Sequence, residues 1–165
     1  MKSVILVRHA KSSWDSADLT DFERPLNERG KKDAPEMAQR LKKRKVTIDA
    51  FISSPAKRAK KTAELFAKEL ADGKPGIIFI EELYHAGPDT FLSVIQKASD
   101  QFDCIAIFSH NPGITDFVNS LTEEVRTDNM PTAGVFAIRA NIPSWKDFAL
   151  GKNEFLFFDY PKLHG

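Results

Sequence analysis

Short apolar runs alternate along this chain with amphipathic ones, and that alternation limits its fold more than any other feature. Val4-Ile5-Leu6-Val7 is uninterruptedly apolar and rich in β-branched residues, as a strand covered on both faces requires. A helix is expected from its cap, Asn27, to about Lys45, with Ala34, Met37, Ala38 and Leu41 on one stripe. Residues 50–53 read as a second strand. Ser54 and Pro55 then read as N-cap and first-turn proline of a helix. Its apolar face is Ala59, Ala63, Phe66 and Leu70, and Lys74-Pro75-Gly76 ends it. Residues 77–80 form a third strand candidate. The helix that Pro88 and Asp89 begin turns Phe91, Leu92, Ile95 and Ala98 inward. Residues 104–108 are a fourth strand. Asn111-Pro112 again resembles a cap and a first-turn proline, ahead of Ile114, Phe117, Val118 and Leu121. Residues 135–138 and 154–158 read as late strands.

Strands alternating with helices imply an α/β protein, a sheet covered on both faces. A length of 165 residues suggests a single domain over 1–165, large enough to bury a real core. Hydrophobic residues at 42% and charged residues at 28% exclude a disordered or fibrous chain. The lone cysteine, Cys104, forms no intrachain disulfide and lies in an apolar run, as a small core residue would. The opening apolar run is too short for a signal peptide, and no stretch approaches about 18 apolar residues. A reduced, cytoplasmic setting with no membrane partner is the expectation.

Net charge is +1, which argues against a nucleic-acid partner, but the charge is uneven. Residues 1–74 carry 18 basic against 11 acidic side chains; residues 75–165 carry 6 against 12. The basic half could attract an anionic ligand, but solvated helix faces account for most of these charges. The runs Lys42-Lys43-Arg44-Lys45 and Lys60-Lys61 stand under the same two readings, with acidic partners as the functional one.

In sheets of this class ligands bind beyond the carboxyl ends of strands. Three polar clusters hold such places: Arg8-His9, Ser53-Ser54-Pro55 and Ser109-His110-Asn111. They converge if their strands are parallel. Two of the four histidines, His9 and His110, directly follow strand candidates. No HExxH, HxH or CxxC spacing suggests a metal site, and no GxSxG elbow suggests a serine hydrolase. Walker A and Rossmann glycine patterns are missing too, so no cofactor is expected. What remains is histidine with arginine. Arginine binds phosphate oxygens in a bidentate manner, and neutral imidazole is a nucleophile toward phosphorus. His9, Arg8, Arg58 and His110 therefore suit phosphoryl transfer through a phosphohistidine.

VILVRHAKSSW, PLNERG, SSPAKRAKKTAELF, LYHAG and FSHNPGI, in that order, resemble the histidine phosphatase superfamily, nearest its small SixA-like phosphohistidine phosphatase branch. The resemblance runs from residue 4 to about residue 121, and more loosely beyond. It implies a three-layer α/β/α sandwich with a mostly parallel sheet, the phosphoglycerate mutase-like fold. It implies that His9 is phosphorylated on one ring nitrogen while a backbone carbonyl holds the other. Arg8, Arg58 and His110 would bind the phosphoryl group, with no metal required.

Two positions depart from the mutase-like members, which have a Glu after RHG and an Asn after the Trp. Here Lys11 and Asp15 stand there. The phosphate-binding role of that Asn is not carried over to Asp15, and Lys11 is either a pocket cation or a solvated lysine. The general acid has three candidates, Glu81, Glu82 and His85, or there is none. A site poor in proton donors suits phosphohistidine, which leaves as an imidazole, better than an alkyl ester, which leaves as an alkoxide. The short chain leaves little room for a cap over the pocket, so a phosphorylated protein or a small phosphorylated substrate could enter. The alternatives are a phosphatase of small phosphomonoesters, a mutase, and a weakly catalytic module that binds phosphorylated partners. Oligomeric state is open.

Overall fold

The computed structural model describes residues 1–71 and 76–164. It contains one six-stranded sheet: β1 (Lys2–Arg8), β2 (Ala50–Ser53), β3 (Ile77–Phe79), β4 (Cys104–Ser109), β5 (Val135–Ala140) and β6 (Glu154–Asp159). The helices are α1 (Glu28–Lys43), α2 (Lys57–Leu70), α3 (Pro88–Gln96) and α4 (Gly113–Leu121). The spatial order is β3-β2-β4-β1-β5-β6. β3, β2, β4 and β1 run parallel, β5 is antiparallel to β1, and β6 is antiparallel to β5. This is the mostly parallel three-layer architecture expected.

The two-residue period of a strand divides the core. Val4, Leu6, Ile105 and Ile107 point to one face, where Phe91 and Ile95 of α3 and Phe117 of α4 cover them. Ile5, Val7, Ala106 and Phe108 point to the other, against Met37 and Leu41 of α1 and Phe66 of α2. The central strands are buried on both sides, which is why their sequences are continuously apolar.

Register positions the site. Arg8 stands opposite Ser109, and Ser53 opposite Phe108, so β1, β2 and β4 end side by side. The ladder continues one step past each end: His9 N–H donates to the Ser109 carbonyl at 3.1 Å, and Ser54 N–H to that of Phe108 at 3.0 Å. The first residue of each loop is thereby held as rigidly as the strand before it.

Several boundaries differ from the expectation. Asn27 does cap α1, accepting from Gly30 N–H at 2.8 Å. Ser54 does not cap α2, which starts three residues later with Ala56 at the cap position. Likewise α4 starts at Gly113, after Pro112, and Asn111 Oδ1 accepts from the Thr115 hydroxyl rather than from a helix N–H. Both polar side chains are drawn to tertiary partners, which overrides the local capping signal. Cys104 is half-buried at the start of β4, and burial pushes its thiol up to about 12. Lys74 and Pro75, expected to end α2, lie outside the described residues.

Candidate active site

All four site residues expected from the sequence border one cavity of about 340 Å³ beyond the ends of β1 and β4. His9 and Arg8 come from β1 and the residue after it, His110 follows β4, and Arg58 lies in the first turn of α2. The His9 and His110 rings stand 5.2 Å apart, centroid to centroid, and are inclined by 50°. Both histidines and Arg58 are buried.

The hydrogen bonds fix the tautomers. His9 Nδ1 lies 2.8 Å from the Ala10 carbonyl oxygen. A carbonyl only accepts, so Nδ1 carries the proton and Nε2 keeps its lone pair. His110 Nε2 lies 2.7 Å from Ser54 Oγ, which also accepts from Ala56 N–H at 3.2 Å. The buried Ser54 hydroxyl, already accepting from Ala56 N–H, has no contact other than His110 Nε2 among the described residues that could take its proton, and a buried donor is paired wherever an acceptor lies in reach. It therefore donates to that nitrogen and leaves the ring proton of His110 on Nδ1.

Three buried side-chain polar atoms have no hydrogen-bond partner among the described residues: Arg8 Nε, Arg58 Nε and His110 Nδ1. All three are donors once the His110 tautomer is set, and all belong to the residues around His9. Orphaned buried donors are rare, and each costs about 1–3 kcal/mol when left unpaired. The three residues that carry them border one cavity together with His9, and two guanidiniums on one wall suit an anion.

Electrostatics agree. Burial, then the guanidiniums of Arg58 and Arg8, hold His9 down to about 3. Burial, then the neighbouring His9 and Arg58, hold His110 down to about 2. Both imidazoles are therefore neutral near pH 7.

A second layer was not foreseen from the sequence. Arg58 Nη1 donates to the Asp21 carbonyl at 2.6 Å and Nη2 to Asp21 Oδ2 at 3.0 Å. Arg24 Nη2 donates to Asp21 Oδ1 at 3.1 Å, and the Tyr84 hydroxyl to Oδ2 at 2.6 Å. The Tyr84 hydroxyl, then Arg58 and Arg24, hold the Asp21 carboxyl well below the usual carboxylate range. Arg24 also donates to Ser12 Oγ at 2.7 Å and lies 3.5 Å from the centre of the exposed Trp14 ring. One local signal was available: Thr20-Asp21-Phe22-Glu23 has the capping-box spacing, and Glu23 Oε1 accepts from Thr20 N–H at 3.4 Å. The resulting 3₁₀ turn, Asp21–Glu23, presents Asp21 to Arg58. Ala133 was also silent in the sequence. It holds a left-handed φ of 59° while its N–H meets the Arg8 and His9 carbonyls at 3.1 Å, a strained position of the kind that gathers at functional sites.

Among the acid candidates, His85 borders the cavity. Glu82 borders a different one, of about 580 Å³, against Ile52, Ile78 and Phe102, and Glu81 borders neither. Lys11 lies on the cavity wall and is exposed, while Asp15 is exposed and not on the wall. No group of three or more His, Cys, Asp or Glu capable of holding a metal occurs among the described residues. No helix among them is long and apolar enough to cross a membrane.

Comparison with known proteins gives the same picture. Residues 4–83 match the histidine phosphatase superfamily (branch 1). An uncharacterized protein of Mycobacterium leprae is 27% identical, over 94% of this chain and the whole of its own. An Agrobacterium tumefaciens structure, provisionally named phosphohistidine phosphatase SixA, is 26% identical with a TM-score of 0.78, covering 97% of this chain and 99% of that one. The fold also matches the protein histidine phosphatase SixA complexed with tungstate, at 22% identity and TM-score 0.80, over 96% of each chain. With its RHA motif at the end of the first strand and the second arginine and second histidine brought to the same cavity, the chain matches the histidine phosphatase superfamily in motif, fold and pocket.

Proposed function

We propose that this protein is a phosphatase that hydrolyses phosphoryl groups through a covalent intermediate on His9, with a phosphohistidine side chain of a protein as substrate. The observation that carries the reading is the state of His9: a neutral imidazole, its Nδ1–H held by Ala10, beside three unpartnered donors. The Nε2 lone pair attacks phosphorus. The bond from phosphorus to the leaving group breaks, and its electron pair departs with that group. Arg8, Arg58 and the Nδ1–H of His110 take the phosphoryl oxygens as their charge shifts. Water then attacks phosphorus, the P–Nε2 bond breaks, its electron pair returns to the ring, and inorganic phosphate is released. The solved structure of a SixA protein with tungstate, a tetrahedral oxyanion, supports a phosphate-sized guest in this fold.

The leaving group follows from the scarcity of acids. Asp21 is ionised and has no proton to give. Tyr84 spends its proton on Asp21. Glu81 and Glu82 lie off the cavity wall, so of the three acid candidates read from the sequence only His85 borders it. An imidazole leaving group protonates readily from solvent, whereas an alkoxide depends on a placed donor, worth about 10²–10⁴-fold. A side-by-side assay on phosphohistidine and an alkyl phosphate tests this, and a strong preference for the alkyl ester would overturn it. His9→Ala is expected to abolish both phosphate release and the acid-labile phosphoryl label on the protein, with the fold kept. Turnover surviving in that variant refutes the covalent route.

A further inference from the structure

Two further cavities have cationic walls, one sharing residues with the His9 pocket and the other lined by sequence neighbours of its residues. One, of about 330 Å³, shares Arg8, Lys11 and Thr132 with it and adds Arg29 and Lys162. Among the described residues no carboxylate borders it. The other, of about 400 Å³, begins at Pro25, next to Arg24, and at Lys57, next to Arg58; Lys31, Lys60 and Lys61 complete its charge. Glu64 is the one carboxylate on its wall. Arg29 and Lys31 pair with Asp33 and Glu28 of their own helix. Lys11, Lys57, Lys60, Lys61 and Lys162 make no ion pair among the described residues. Nine of the 18 basic side chains of residues 1–74 thus border these three cavities, joined by Lys162 from the second half.

We propose that these two clefts form a docking surface for acidic side chains of the polypeptide that carries the phosphoryl group. The proposal rests on the reading of the protein as a phosphatase of a protein side chain and names what that substrate carries beside its phosphorylated residue. Like charges massed without partners repel one another, and an acidic partner relieves that repulsion while gaining on-rate and register. Size selects a chain over a small molecule. The central cavity accommodates the phosphoryl group and the residue that bears it. An extended chain advances about 3.3–3.6 Å per residue, so flanking residues extend past the central cavity, whose wall at Arg8, Lys11 and Thr132 is shared with the first cleft. Charge distribution selects a protein over a nucleic acid. Residues 75–165 carry an excess of six negative charges, which disfavours a long uniform polyanion but tolerates a partner with a local acidic patch.

The test uses matched phosphohistidine peptides with Glu or Gln flanking the phosphorylated residue. The wild-type protein is expected to prefer the Glu peptide in kcat/KM by about two- to fivefold per engaged charge, a preference that fades as salt rises. Lys162→Glu and Lys61→Glu are each expected to shrink that preference while turnover of p-nitrophenyl phosphate stays at the wild-type level. No preference, or one that both variants retain, overturns the proposal. A second arm is independent of the substrate reading: unphosphorylated Glu and Gln peptides as inhibitors of p-nitrophenyl phosphate turnover. Selective inhibition by the Glu peptide, lost in both variants, supports the surface even if phosphohistidine peptides are not turned over, an outcome that sinks the substrate reading alone. Inhibition by citrate that matches the Glu peptide, or by a DNA oligonucleotide that exceeds it, overturns the docking of an acidic polypeptide.

Discussion

Ser54→Ala probes the site without touching any atom of the reaction. Ser54 is fully buried, and its hydroxyl is 2.7 Å from His110 Nε2. Removing it leaves that nitrogen and the Ala56 N–H without their partner, so a stability loss of about 1–3 kcal/mol is expected. The effect on turnover has a ceiling. A hydrogen bond of this kind is worth about 0.5–1.5 kcal/mol net, so losing its bias lowers the ratio of the Nδ1–H to the Nε2–H tautomer by about 2- to 13-fold. The other tautomer turns a lone pair toward the anion, and losing such a donor altogether costs about 10²–10³ in rate. Ser54→Ala should therefore lower kcat/KM measurably but by less than His110→Ala, the full loss of the donor. The assay is phosphate release from an aryl phosphate by both single variants and the double variant, at a temperature where all are folded. In the His110→Ala background the serine has nothing left to orient, so the double variant should match His110→Ala. Losses that multiply independently, or an unchanged rate in Ser54→Ala, would refute the tautomer argument.

Other expectations follow from the same geometry. Arg58→Ala removes an orphaned donor and both bonds to Asp21, and is expected to lower kcat/KM by about 10²–10³, read in steady-state kinetics. The two buried histidines make stability pH-dependent. Their folded values, about 3 and about 2, lie below the ordinary 6.5. The unfolded chain thus binds protons that the folded one refuses as pH falls below 6.5. Stability present above that value is lost toward pH 3, at up to about 1.4 kcal/mol per pH unit for each group. Urea midpoints across this range should show the slope, and His110→Ala should flatten it. Gly30→Ala would drive a Cβ into the Lys11 carbonyl where α1 packs against the loop after His9. Overpacking of that kind costs about 1–3 kcal/mol, to be read from thermal melts.

The strand and helix cores were legible because burial imposes a period that sequence must obey. The continuous apolar runs of β1 and β4 predicted strands covered on both faces, and the stripes of α1 and α2 predicted their packing. His9, Arg8, Arg58 and His110 were legible because strand ends in a parallel sheet converge, and the motifs sat at those ends. Ser54 and Asn111 were misread as caps because local chemistry predicts a local partner, while a residue 56 positions away in sequence claimed the Ser54 hydroxyl. Asp21, Arg24 and Tyr84 were not foreseen, since no periodicity links a loop carboxylate to a guanidinium 37 residues on.

The sequence by itself determined the layer architecture and the chemical types that meet at the site, because both depend on burial pattern and on which residues follow each strand. Only the tertiary structure decided the protonation pattern and the surroundings of those residues. Which nitrogen of each imidazole holds its proton, which donors are left for an anion, and where the unpaired lysines gather all depend on distances between segments remote in the chain. Such distances are set by packing in three dimensions, and no spacing along the sequence encodes them.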